Sequence, residues 1–151
     1  MITEDYVSFE IAKLLKEKGF NERCYKCYGT AVHHKGVPIS FDEEFELKCG
    51  GLGDEIEYVE GGCLYDFGCD NKQKETNVWA APTLQMAIKW LREEHKIFIT
   101  IGLCTYPILN KCTWIPQVET LNDCYPNVSK EYDTYEEACE AAIMYCLENL
   151  I

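Results

Sequence analysis

Residues 81–100, APTLQMAIKWLREEHKIFIT, predict one amphipathic helix that leads directly into one strand. Apolar side chains recur there at the three-and-four spacing of a helix face, at Leu84, Ala87, Ile88 and Leu91. Thr83 is placed to cap the helix, because its hydroxyl can accept a hydrogen bond from a first-turn N–H. From Ile97 to Cys104 the side chains alternate as in a strand, and both faces are apolar. We therefore expect a central strand of a sheet.

Two further helices are indicated near the ends of the chain. Residues 8–18 have a helical apolar face, with Ser8 as the expected cap and Gly19 placed to end the helix with a positive φ. Near the other end, Thr134 and Glu137 have the spacing of a capping box, and a long apolar face follows them. These signals describe a scaffold and indicate no chemistry.

The remaining elements are predicted as strands. Residues 24–34 favour a strand, although their alternation is weak. Lys111 to Glu119 favour another strand, at an edge or with a bulge, because Pro116 cannot donate to a ladder. The sequence thus predicts one α+β domain over residues 1–151. Its small, mainly antiparallel sheet packs against three helices in the order helix, strands, helix, strand, strand, helix.

Residues 35–78 read as an irregular, acidic and glycine-rich insert. Its glycines argue against long helices. Eight acidic residues lie between Phe41 and Glu60 against one basic residue, Lys48. Short runs favour one or two hairpins, namely Phe45 to Leu47, Ile56 to Val59 and Cys63 to Phe67. Long irregular connections are often functional, so we expect any binding surface to lie here.

The charge and hydropathy patterns exclude several functions. The net charge is −12, divided as −7 for residues 1–76 and −5 for residues 77–151. Without a basic stripe, we do not expect nucleic acid as a partner, since phosphate contacts need Lys and Arg. No apolar run reaches the roughly 18 residues of a membrane helix. The first ten residues, MITEDYVSFE, lack the pattern of a signal peptide. We therefore expect a cytoplasmic protein without a membrane partner.

The ten cysteines allow three readings of the Cys24-x-x-Cys27 motif. Two thiolates at this spacing can supply half of a zinc site. The other half would come from His33, His34, Cys49, Cys63 or Cys69. A redox motif would need a strand before it and a helix after it, whereas here a helix precedes and a strand follows. The third reading is two reduced cysteines at the edge of a core, which fits a chain too long to need disulfide staples.

No catalytic motif is recognisable in the sequence. It contains no nucleophile elbow, phosphate-binding loop, dinucleotide fingerprint or His-Glu-x-x-His pair. A cysteine nucleophile paired with a histidine is conceivable among ten Cys and three His, but no local signature selects one.

Three stretches together resemble a group of small, uncharacterised proteins of phages, prophages and mobile elements of gut anaerobic bacteria. They are DYVSFEIAKLLKEKGF at 5–20, APTLQMAIKWLREEHKIFI at 81–99 and YDTYEEACEAAIMYCLENLI at 132–151. The resemblance falls on the three helices, implies a protein of a host or infected cell, and transfers no catalytic residue. The leading hypothesis is a non-enzymatic accessory protein that binds a macromolecule, such as a host protein. The alternatives are a structural-zinc domain on Cys24 and Cys27 and a cysteine-dependent enzyme.

Overall fold

The protein is an α+β protein with four helices and two antiparallel sheets among the residues that the structure, a computed structural model, describes: 3–73, 77–128 and 130–151. The helices are α1 (Phe9–Glu17), α2 (Phe41–Cys49), α3 (Leu84–His95) and α4 (Tyr135–Asn149). The strands are β1 (Lys26–His34), β2 (Val37–Pro38), β3 (Ile56–Tyr65), β4 (Val78–Ala81), β5 (Phe98–Tyr106) and β6 (Lys111–Glu119). No helix in these ranges is long and apolar enough to cross a membrane.

The chain divides into two compact units. Unit 1 comprises residues 1–20 and 81–151, and unit 2 comprises residues 21–80. Unit 1 contains α1, α3, α4 and the antiparallel ribbon of β5 and β6. Unit 2 contains α2 and a sheet in which β1 pairs with β2, β3 and β4. The pairs of β1 with β2 and with β3 are antiparallel.

Helix α4 is the central element of unit 1, because it packs against α1, α3, β5 and β6. Its apolar face buries a continuous stripe: Ala138, Cys139, Ala142, Ile143, Cys146 and Leu147. Small side chains in this stripe allow neighbouring elements to approach closely, and Ile143 and Leu147 fill the core. Cys139 and Cys146 are thus fully buried core residues.

The predicted helix ends of unit 1 are confirmed. Ser8 accepts a hydrogen bond from the Ile11 N–H, and Thr83 accepts one from the Met86 N–H. Thr134 forms its capping box with Glu137. At the end of α1, Gly19 has a φ of +92°, a conformation that L side chains rarely adopt. These caps satisfy backbone groups that a helix end leaves without partners.

The helix count and one strand prediction were wrong. The part of the chain that the structure describes has four helices and not three, because Phe41–Cys49 forms α2 within the insert that we expected to be irregular. The run from Phe45 to Leu47, read as strand-like, lies inside this helix. Ser40 and Glu43 form a capping box, the signal that could have located it. The other two expected runs fall on one long strand, β3: Ile56 to Val59 lies within it, and Cys63 to Phe67 overlaps its end at Tyr65. Strand β3 pairs with β1 across a register shift between Gly29 and Ala31.

We expected the strand after α3 to be the central strand of a sheet, and this prediction was wrong. Within the described residues β5 pairs with β6 alone, so it is one edge of a two-stranded ribbon. The ladder runs without a shift from Phe98↔Glu119 to Tyr106↔Lys111. Pro116 lies opposite Ile101 without a bulge. A proline is tolerated there because the nitrogen of residue 116, like the outward-bonding N–H of Trp114 two residues before it, points away from β5, so the ladder loses no hydrogen bond.

A carboxyl group between α1 and α4 should make unit 1 sensitive to pH. The Glu140 Oε1 accepts a hydrogen bond from the Ser8 N–H at 3.0 Å. Burial nevertheless raises the pKa of Glu140 above its usual value. Since the folded-state pKa is raised, the stability that Glu140 contributes is present below the pKa of the unfolded chain. It is lost as pH rises through the folded-state pKa.

We therefore predict that Glu140→Gln stabilises the protein at pH 7 and not at pH 4. The amide oxygen can still accept from Ser8, and no charge has to be desolvated. The gain should be on the order of 0.5 kcal/mol. Urea unfolding at both pH values measures it, with exposed Glu119→Gln as the control. An equal gain at pH 4, or destabilisation at pH 7, would contradict this account.

Candidate protein-binding surface

The two predicted zinc ligands lie at the start of β1, together with a third cysteine. Cys24 forms an isolated antiparallel bridge with Cys69, with N–O distances of 2.8 and 3.0 Å. The side chain of Cys27 is hydrogen-bonded to that of Cys69. The Cys69 thiol also lies 3.8 Å from the backbone oxygen of Lys26. The fold thus brings Cys69, one of the five further ligands considered, to the predicted pair.

The other proposed ligands do not complete a metal site. His34 Nε2 lies 2.9 Å from Glu55 Oε2, which also pairs with Lys35. Cys49 is exposed at the end of α2, and Cys63 lies opposite Gly29 on β3. Among the described residues, no group of three or more His, Cys, Asp or Glu side chains could hold a metal ion. Zinc binding by Cys24 and Cys27 therefore stays a prediction.

Burial keeps several thiols of the chain protonated. It raises the pKa of Cys24, Cys69 and Cys146 to about 12 and that of Cys139 to about 11. Burial also raises the pKa of Cys27, partly offset by the hydrogen bond from Cys69. Because the thiolate is the nucleophile, these five cysteines are poorly suited to covalent catalysis.

We predict that alkylation rates of the native protein follow exposure. At pH 7.5 a thiol with a pKa of about 12 is ionised in roughly 1 of 30,000 molecules. Cys49, Cys112 and Cys124 are exposed and should react first with iodoacetamide. Peptide mass spectrometry over time measures the order. If Cys24 or Cys27 reacted faster than Cys49, the cysteine-enzyme alternative would gain support.

The surface of unit 2 is unusually apolar. Of the fourteen large hydrophobic side chains exposed among the described residues, nine belong to unit 2. They are Tyr25, Val37, Phe41, Phe45, Leu52, Tyr58, Val59, Leu64 and Phe67. Single exposed apolar residues are ordinary, whereas neighbouring ones can form an interaction surface, so the positions of these side chains relative to one another matter.

Helix α2 presents two phenylalanines to solvent. Phe41 is 72% exposed and Phe45 is 68% exposed. They are four residues apart and therefore neighbours on one side of the helix. At 100° per residue, Asp42 and Glu46 extend the same side to an arc of roughly 140°. We call Phe41, Asp42, Phe45 and Glu46 the α2 face.

Polar contacts hold the opposite side of α2. Of its nine residues, all described by the structure, only Glu44 is buried, and Leu47 is half-buried. The Lys48 ammonium and the Tyr58 hydroxyl each donate to Glu44 Oε1 at 2.6 Å. The hydrogen bond from Lys48 is the main reason why the pKa of Glu44 is lowered. Since Tyr58 lies on β3, this carboxylate fastens the helix to the sheet.

The α2 face has uncompensated negative charge. Asp42 and Glu46 form no ion pair with any described residue. The one cation of α2, Lys48, is already engaged by Glu44. The face therefore combines two aromatic side chains with two free carboxylates.

Unit 1 has a shallow groove of different character. It has a volume of about 550 Å³ and lies between α1, α4 and residues 130–133. Its lining includes the apolar side chains of Ile11 and Met144 and the carboxylates of Glu131, Asp133 and Glu137. Its described residues include no cysteine or histidine. The groove thus has no thiol paired with an imidazole among its described lining residues.

Comparison with known proteins adds no assignment: no protein-family model, no curated protein and no solved structure matches this chain.

Proposed function

We propose that this protein is a non-enzymatic accessory protein that binds another protein through the α2 face. The observation that supports this proposal is the exposure of Phe41 and Phe45 on a helix whose buried side is polar. A helix that only completed a core would bury its aromatic side chains, because burying one Phe contributes roughly 1.5–3 kcal/mol. Because Phe41 and Phe45 stay exposed in the free protein, a partner that buries them would gain this free energy on binding.

The chemistry of the face indicates the kind of partner. Phe41 and Phe45 require an apolar cleft, and the free carboxylates of Asp42 and Glu46 favour Lys or Arg at its rim. We therefore expect a protein with a basic-rimmed apolar cleft. The resemblance of the three segments at 5–20, 81–99 and 132–151 supports the further proposal of a phage or mobile-element origin, with a host protein as partner.

The double variant Phe41→Ser/Phe45→Ser should abolish partner binding. The test is native mass spectrometry of tagged protein purified from a gut anaerobic bacterium. We expect a stoichiometric host protein with the wild type and at least about tenfold less of it with the variant. Because both side chains are exposed, the melting temperature should change little.

The matched control removes two apolar side chains of unit 1 that are at least as exposed. Ile108 is 100% exposed and Leu109 is 71% exposed, so Ile108→Ser/Leu109→Ser makes the same chemical change elsewhere. This control should retain the partner. Equal capture by both double variants, or no stoichiometric partner with the wild type, would contradict the proposed function.

The structural-zinc domain is the alternative supported by a specific observation, the proximity of Cys69 to Cys24 and Cys27. A zinc site would require these thiols to ionise and rearrange around the metal, since no group of three or more His, Cys, Asp or Glu side chains in the described ranges is placed to hold one. Metal analysis of protein purified without chelators tests this alternative. Less than one equivalent of zinc per chain would exclude it.

A further inference from the structure

The outer edge of β5 has unpaired backbone groups. On the far side of β6, the Trp114 N–H and C=O both bond to Tyr132, each at 2.8 Å. The Leu103–Trp114 pair therefore exchanges no hydrogen bonds within the ribbon. Because bonded and non-bonded pairs alternate, the backbone groups of a set of β5 residues point away from β6. The set comprises Ile99, Ile101, Leu103 and Thr105. No described backbone group pairs with them on that side.

The sequence and ladder of β5 lack the charged residues, prolines and bulges that often prevent strand pairing. Proteins protect edge strands with charged side chains, prolines or bulges. The nine residues of β5, FITIGLCTY, include no charge and no proline, and the ladder has no bulge. Strand β6 differs, since it contains Lys111, Pro116 and Glu119. Tyr132 and Cys124 also form bridges with it.

We propose that the β5 edge pairs antiparallel with the β5 edge of a second copy of this chain. A two-fold axis beside Gly102 places Ile101 opposite Leu103 of the second copy and Ile99 opposite Thr105. In this register all four outward N–H groups and all four outward C=O groups of each strand find partners. The two ribbons then form one four-stranded sheet. Gly102 faces its own equivalent at the axis, where the absence of side chains allows close approach.

The register favours a second copy as the occupant, because a single two-fold axis gives a partner to every outward backbone group of both strands, and the neutral β5 allows this contact. The chain has a net charge of −12, so most of its surface would repel a copy. Because β5 is uncharged, every opposed pair in this register is neutral. The paired strands would extend over about 30 Å. Strand pairing of this length makes a small interface, so we expect a reversible dimer with a dissociation constant on the order of micromolar or weaker.

Substitutions at Gly102 test the two-fold axis directly. A Cβ added there meets the backbone oxygen of Ile115 at 3.6 Å, an ordinary contact, so the monomer should tolerate a side chain. Gly102→Lys places two ammonium groups opposite each other, and Gly102→Glu places two carboxylates there. Native mass spectrometry and light scattering between about 5 and 500 µM cover the affinity of a small interface.

We expect a concentration-dependent dimer for the wild type and at least a tenfold weaker dimer for each variant alone. An equimolar mixture of the Lys and Glu variants should restore a heterodimer. The control Gln117→Lys adds the same charge to an exposed position on β6 and should dimerise as the wild type does. A wild type that stays monomeric throughout, or a dimer that the Gly102 variants leave unchanged, would overturn the proposal.

Discussion

The Glu44 carboxylate orients helix α2, and this orientation decides which surface unit 2 presents. One of its two hydrogen-bond donors, Lys48, lies on α2 itself, and the other, Tyr58, lies on β3. The carboxylate therefore joins the helix to a strand that follows it closely in the sequence. A buried carboxylate without partners would be strongly unfavourable, whereas one with two donors satisfies its charge. Because this polar contact attaches α2 to the sheet, the helix does not depend on burial of Phe41 and Phe45 in the core of unit 2.

Unit 1 is built on a different principle. Its core depends on the small and branched side chains of α4, which let α1, α3 and the ribbon approach one helix from several sides. The ribbon has only two strands, so packing against α4 covers part of one face but cannot cover both edges. One edge is then protected by Tyr132, Pro116 and charged side chains. The edge formed by β5 has no such protection.

The parts of this fold that were predictable depend on local signals. The caps at Ser8, Thr83 and Thr134 and the apolar spacing after them locate α1, α3 and α4 within a residue or so. Helix α2 was missed because the flanking glycines suggested irregular structure, although the capping-box spacing of Ser40 and Glu43 indicates the start of a helix. Its buried residue is charged, so no apolar periodicity could confirm it.

Other features were beyond sequence reasoning because they depend on contacts between distant residues. Apolar side chains on both faces of β5 suggested a central strand, but the number of neighbours of a strand is not encoded in the strand itself. The approach of Cys69 to Cys27 follows from the bridge between Cys24 and Cys69, which closes a long loop. The exposure of Phe41 and Phe45 likewise follows from the hydrogen bond between Glu44 and Tyr58.

The most direct test of the central claim is the solvent exposure of these two phenylalanines. Fluorine NMR of fluorophenylalanine-labelled protein, compared in H₂O and D₂O, reports how much water surrounds each ring. Phe20, which is fully buried, is the internal reference, and Phe→Leu variants assign the resonances. The account predicts a large solvent isotope shift for Phe41 and Phe45 and almost none for Phe20. Shifts for Phe41 and Phe45 as small as that of Phe20 would contradict it, because the α2 face would then already be covered.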